Sequence, residues 1–156
     1  VQDKHLEKIA LFFFLLTLDQ KIAAQLSSQV ADSILRKSRG GQKPVESKEL
    51  IALLVNFYRK NRKHLLQVRS EIMPHFKDWL VPEKFDINVF REFSKKVDID
   101  SLVPFLLVGV LEFPQEDVSS VLEITPGTLS ARLQKSFVML GDLANPKVFI
   151  RGGVSS

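Results

Sequence analysis

Few side chains in this sequence have the type and spacing to carry out covalent or metal chemistry. The three histidines, His5, His64 and His75, are far apart and lack the His-Glu-x-x-His spacing that sets two imidazoles on one helix face, so no metal site is expected. There is no cysteine, hence no disulfide framework, thiolate ligand or thiol nucleophile, which fits a reducing, cytoplasmic setting. Gly40-Gly41 lacks the Gly-Lys-Ser/Thr that completes a phosphate-binding loop and reads as an ordinary loop pair. Asp98 and Asp100 hold half of a calcium loop without the rest and read as helix-start acids. These patterns give no support to an enzyme, and no cofactor is expected.

The chemistry that remains is electrostatic, and it is divided along the chain. From Arg36 to Arg69 there are ten basic residues against two acids, a local charge of +8. From Asp98 to Ala144 the balance reverses to −5, with seven acids against Arg132 and Lys135. Within the basic segment, Arg59, Lys60, Arg62 and Lys63 form the densest cationic cluster, at the end of a predicted helix. They are the candidate nucleic-acid contacts, because a polyanion is attracted to the first half and repelled by the second.

The elements that must position these charges are helices. Apolar residues recur at helical spacing, and no stretch sustains a clean alternation flanked by hairpin turn pairs, so the fold class is all-α. A first helix covers about 3–16, with Leu6, Ile9, Ala10 and Phe13 on one stripe and Phe12 and Phe14 widening it until it is apolar nearly all round. Its run from Ile9 to Leu16 is too short to span a bilayer and lies among acids rather than in a basic, signal-like setting, so no membrane contact is expected. The chain opens at Val1 without a methionine, which leaves room for residues upstream.

Asp19 is placed to cap a second helix carrying Ile22, Leu26, Val30 and Ile34, which Gly40 and Gly41 end. Ser47 is expected to cap a third, to about Val68, with Leu50, Ile51, Leu54, Phe57 and Tyr58 ahead of the basic cluster. Between Ser70 and Val97, Pro74 and Pro82 punctuate an aromatic stretch with Phe76 and Trp79. A helix after Asp86 follows, bearing Val89, Phe90, Phe93 and Val97. That composition suits a structured connector, or part of one continuous core, better than a flexible linker.

The most informative stretch follows. Asp100 is expected to start a helix to about Leu111, with Pro104 in its first turn and Phe105, Leu106 and Leu107 buried. Pro114 then opens a short helix over 115–122, Glu123-Ile124-Thr125 turns, Thr125 caps, and Pro126 takes the first position of the last helix. There Leu129, Leu133, Ser136 and Leu140 share the inward face. Gly127, Ala131, Gln134, Lys135 and Val138 point outward.

The string from Phe113 to Leu133 resembles region 4 of the bacterial sigma factors, especially the short extracytoplasmic-function group. Glu116 and Asp117 match that family's acidic pair, and Gly127, Thr128, Arg132 and Leu133 match its Gly-Thr and Arg-Leu. The stretch from Phe12 to Leu35, with Asp19, Ala23 and Leu26, is similar to the first two helices of region 2, and Lys48 to Lys63 resembles the region 2 helix that ends in a basic cluster. The resemblance implies a region 2-like bundle over 1–69, a structured connector over 70–97, a region 4-like helix-turn-helix unit over 98–145 and a tail over 146–156.

It also implies a transcription protein that associates with core RNA polymerase, promoter DNA or both, the DNA being met through the basic segment 36–69. The chain departs from the family at Glu123, where a turn glycine is usual, at Gln25 and Ser28, which stand roughly where the family has its clamp-contacting residues, and along the outer face of the recognition helix. On that face, Gly127, Thr128, Ala131, Arg132, Gln134, Lys135 and Val138 could meet DNA or a protein. The second implied function is therefore an interaction or regulatory module on a degenerate sigma scaffold, its partner an anti-sigma-like protein or a second copy of the chain.

Overall fold

A computed structural model describes residues 3–38, 45–65 and 87–144, and among these there are helices and no strand. Helix α1 (Asp3–Thr17) buries its apolar run, with Phe12, Phe13, Phe14, Leu15 and Leu16 all fully shielded. Leu6, expected on the buried stripe, is instead 41% exposed, one turn ahead of the shielded run. Thr17 ends the helix by donating its hydroxyl to the Phe13 carbonyl at 2.7 Å. The Asp19 carboxylate accepts the backbone N–H of Ile22 at 3.0 Å, the capping bond that starts helix α2 (Gln20–Ser38). Leu26, Val30 and Ile34 are buried at the expected spacing.

Helix α3 (Ser47–Lys60) begins with Ser47 as its first helical residue; the cap position belongs to Glu46, whose side chain makes no capping bond. It also stops short of the expected Val68. Asn61 closes it, its backbone N–H shared between the Phe57 and Tyr58 carbonyls and its side-chain amide donating to Phe57 at 2.8 Å. A further turn over 62–65 ends on buried Leu65. The Gly40-Gly41 stop, the end of that helix beyond Leu65, and Pro74, Phe76, Trp79 and Pro82 lie outside the described residues.

Helix α4 (Ile87–Lys96) contributes Phe90 and Phe93 to the interior. In helix α5 (Ile99–Pro104) the cap is Asp98, not Asp100, so Pro104 is the sixth helical residue rather than a first-turn one. A proline there cannot donate to the carbonyl four residues back, that of Asp100. The backbone continues as a π-helical segment, Phe105–Val110, followed by α6 (Gln115–Leu122) and α7 (Pro126–Ala144).

The buried residues form one continuous cluster running from Ile9 to Leu133. Helices α2 and α3 and the π segment pack on α1, α6 lies on α3, and α7 lies across α4 and α5. A chain of rings crosses the second half: Phe90 to Phe93 at 5.8 Å, Phe93 to Phe105 at 5.0 Å, and Phe105 to Phe137 at 5.3 Å. Such tilted and edge-on pairs bring ring edges to ring faces. On α7, Leu129, Leu133 and Ser136 are buried and Leu140 half-buried, on the face expected to turn inward.

Leu133 closes the core at only 6% exposure. Truncating it to alanine should cost about 2–5 kcal/mol in a denaturant titration, the range for deleting a buried leucine side chain. A neutral result would mean that α7 does not seat as described.

Candidate nucleic-acid and protein interface

The basic cluster sits on a helix end that is pinned from below. Tyr58 and Leu65 are buried, Asn61 caps α3 between them, and Arg59, Lys60, Arg62 and Lys63 are all exposed around that anchored turn. Lys60 lies 5.9 Å from the centre of the Phe57 ring, a cation-π approach that holds its stem against the helix. The Arg62 Nε donates to the Tyr58 hydroxyl at 3.3 Å, and its guanidinium meets the Asp100 carboxylate at 3.6 Å. The Tyr58 hydrogen bond above all, with the Tyr58 and Asp100 charges behind it, raises the already high pKa of Arg62. Of the four cations, one is thus committed to an acid of the second half of the chain.

The helix-turn-helix is built by local chemistry. Glu123 adopts a left-handed conformation with φ 59°, which lets the Ile124 N–H return to the Ser119 carbonyl at 3.1 Å and end α6. Glycine reaches that region without a steric cost, whereas a glutamate bears one. The Thr125 hydroxyl accepts the backbone N–H of Thr128 at 3.1 Å and caps α7, with the two threonine hydroxyls 2.9 Å apart. Gly127, Thr128, Ala131, Gln134, Lys135 and Val138 are exposed, and Val138 is 54% so. An open groove of about 520 Å³ runs along this face beside Ala131, Gln134, Lys135, Val138, Met139 and Asp142.

Arg132 stands apart from these residues. It is half-buried and turns toward α5, where its Nη1 donates to the Asp100 carbonyl at 3.4 Å. That carbonyl is the one Pro104 leaves without its helical donor, so the arginine supplies what the proline removes. Lys135 reaches back in the same direction and meets the Asp98 carboxylate at 3.2 Å. Both basic residues of the last helix are therefore bound to the start of α5.

Sequence reasoning recognised Asp98 and Asp100 as helix-start acids but missed these contacts, which join residues more than thirty positions apart. It also missed Phe137, 51% exposed beside Val138 with its ring edge-on to Phe105. The helical spacing of Phe137 from Leu133 and Ser136 places it at the rim of the inward face, which was the available signal.

Asp98 does two jobs at once: one carboxylate oxygen accepts from the Ser101 N–H and hydroxyl, each at 3.1 Å, while the other takes Lys135. Partial burial pushes its pKa up, but the hydrogen bonds from Lys135 and Ser101 outweigh this and hold it below the usual aspartate range. Because the folded value is depressed, the contribution is fully present above the ordinary aspartate pKa and is lost as pH falls through the lowered one. Asparagine caps a helix about as well as aspartate but carries no charge. Asp98→Asn should therefore leave α5 capped and flatten this acid-range loss in pH-dependent unfolding, whereas Asp98→Ala should cost about 1 kcal/mol more at neutral pH. An unchanged acid profile in the asparagine variant would remove the Lys135 contact from the account.

No family model matches the chain, and no curated protein matches it. Among solved structures, its backbone is similar to that of the sigma factor RpoE in complex with the anti-sigma factor NepR from Bartonella quintana, at 18% identity and a TM-score of 0.68. The likeness covers 92% of this chain and 93% of that one, so it extends over the helices of both halves. At that identity it speaks for the arrangement of the backbone, and this chain has the all-α fold of a bacterial sigma factor.

Proposed function

We propose that the chain is a sigma factor-like transcription protein, not an enzyme, that associates with core RNA polymerase and meets DNA through its basic segment 36–69. The observation that carries this reading is the sigma-factor fold over nearly the whole chain, combined with an exposed cationic cluster on a rigidly anchored helix end. Arg59, Lys60, Arg62 and Lys63 are the DNA contacts in this reading, with 1–69 serving as the polymerase-docking half, 70–97 as its connector and 98–145 as the helix-turn-helix half. The setting is the cytoplasm, where the polymerase is. No helix among the described residues is long and apolar enough to cross a membrane, and the reading needs none.

A second reading has its own support. Arg132 and Lys135 are held by Asp100 and Asp98, and the outer face of α7 offers Ala131, Val138 and Met139 around a groove. Base edges and phosphates are ordinarily met by Arg, Lys, Asn or Gln, so such a face suits a desolvated protein contact better than the major groove. The similar solved sigma factor is bound to an anti-sigma factor. An anti-sigma-like protein, or a second copy of this chain, fits the face as a partner.

Core polymerase from the source bacterium should be captured by the full chain with and without DNA; failure in both conditions overturns the first reading. Neutralising Arg59, Lys60, Arg62 and Lys63 together should reduce the slope of log affinity against log salt by roughly one unit per lost phosphate contact. Salt-independent DNA binding would remove the electrostatic basis of the reading.

Val138→Glu tests the outer face separately. A carboxylate in the middle of an apolar contact should weaken capture of the protein partner at least about tenfold, since a buried unpaired charge costs several kcal/mol. Circular dichroism and DNA affinity should stay nearly unchanged. Sequence-specific duplex binding that Gln134→Ala or Arg132→Gln abolishes would return the face to DNA reading.

A further inference from the structure

The end of α3, helix α5 and helix α7 enclose a cleft of about 180 Å³. Three arginines line it, Arg59 and Arg62 from one side and Arg132 from the other, over a floor that includes Tyr58 and Val103. Tyr58 and Val103 are both nearly inaccessible, so the cleft has a low-dielectric base, where charges interact more strongly than in open water. Asp100 is the only acid in the lining. One carboxylate among three guanidiniums leaves the cleft with a net charge of +2.

Asp100 is also a weak counter-ion. Its single contact with Arg62 is long, at 3.6 Å, and the two side chains are 60% and 50% exposed, the setting in which ion pairs hold least. Arg132 uses one nitrogen on a backbone carbonyl at 3.4 Å, and no described residue pairs with Arg59. Guanidinium groups converging from two helices suit an oxyanion with several acceptor oxygens, which can take bidentate bonds that one carboxylate cannot supply to all three.

We infer that this cleft is a binding site for the terminal phosphoryl group of a small ligand, with Arg59, Arg62 and Arg132 as its donors and Asp100 as the internal anion that the ligand displaces. A nucleic-acid strand is disfavoured as the occupant, because its phosphates follow one another along an open surface whereas this cleft admits one group end-on. The inference goes beyond the proposed function and does not depend on polymerase association.

The test is calorimetric titration of the full chain with inorganic pyrophosphate and, separately, with a short single-stranded oligonucleotide. One pyrophosphate should bind per chain. Arg132→Gln should weaken it about tenfold or more, the worth of one charge-assisted hydrogen bond, and Arg132→Lys should recover only part of that loss. Asp100→Asn should tighten it up to about fivefold by removing the competing charge, a gain that misfolding cannot imitate. Lys95→Gln, remote from the cleft, controls for a general charge effect and should leave the affinity unchanged. Absence of pyrophosphate binding, binding indifferent to Arg132 and Asp100, or binding of the oligonucleotide alone would each overturn the assignment.

Discussion

The five consecutive side chains from Phe12 to Leu16 are fully shielded from solvent, and a single helix cannot shield all sides of itself. Three neighbours are needed, and α1 has them in α2, α3 and the π segment. Two of these come from the first half of the chain and the third from the second, so burying α1 draws the halves together. Leu18, which follows the helix, tolerates a left-handed φ of 54° in this setting while its side chain stays buried at 3% exposure. The anchored end of α3 and the seating of α7 both follow from this packing, because α6 rests on α3 and α7 rests on α5.

Electrostatics then acts on a frame already set by burial. The two halves carry opposite charge, and the contacts between acids and bases fall where the halves meet. Arg62 of the basic half faces Asp100 of the acidic half, while Lys135 and Arg132 turn back to the same helix start. All of these groups are at least partly exposed, so the pairs contribute less to stability than the rings and leucines beneath them. Their effect is on availability: a cation that faces an aspartate presents less field to a polyanion than its place in the sequence suggests.

What was legible in the sequence was mostly local. Asp19 and Thr125 cap the helices they precede because a short oxygen-bearing side chain next to a helix start needs no distant partner. Leu26, Val30, Ile34, Leu129 and Leu133 are buried because helical periodicity alone assigns their face. The all-α class followed from the same periodicity.

The errors arose where two local signals competed or where tertiary contact decided. Asp98 and Asp100 are both acceptable caps, and the choice of Asp98 moved Pro104 from a harmless position to a disruptive one. Asn61 stops α3 with side-chain and backbone bonds inside an otherwise helical pattern. The arginine that faces the Asp100 carbonyl could not be read from spacing, because its partner is thirty-two residues away. Of the candidate site, the cationic cluster was therefore legible as a list of residues, but its engagement by Asp100 was not.

The π-helical segment from Phe105 to Val110 has a bearing on how the chain tolerates changes in length. A π turn holds one more residue than an α turn, so such a segment acts as a phase shifter between the helix before it and everything after. Each residue of an α-helix advances the face by about 100°. Deleting one residue here would let the backbone relax into an ordinary α-helix and rotate the start of α5 by that angle relative to α7. Asp98 and Asp100 would swing away from Lys135 and Arg132, and the rings of Phe93 and Phe137 would no longer meet Phe105 from either side. The register of six apolar residues thus sets which charges of the two halves face each other.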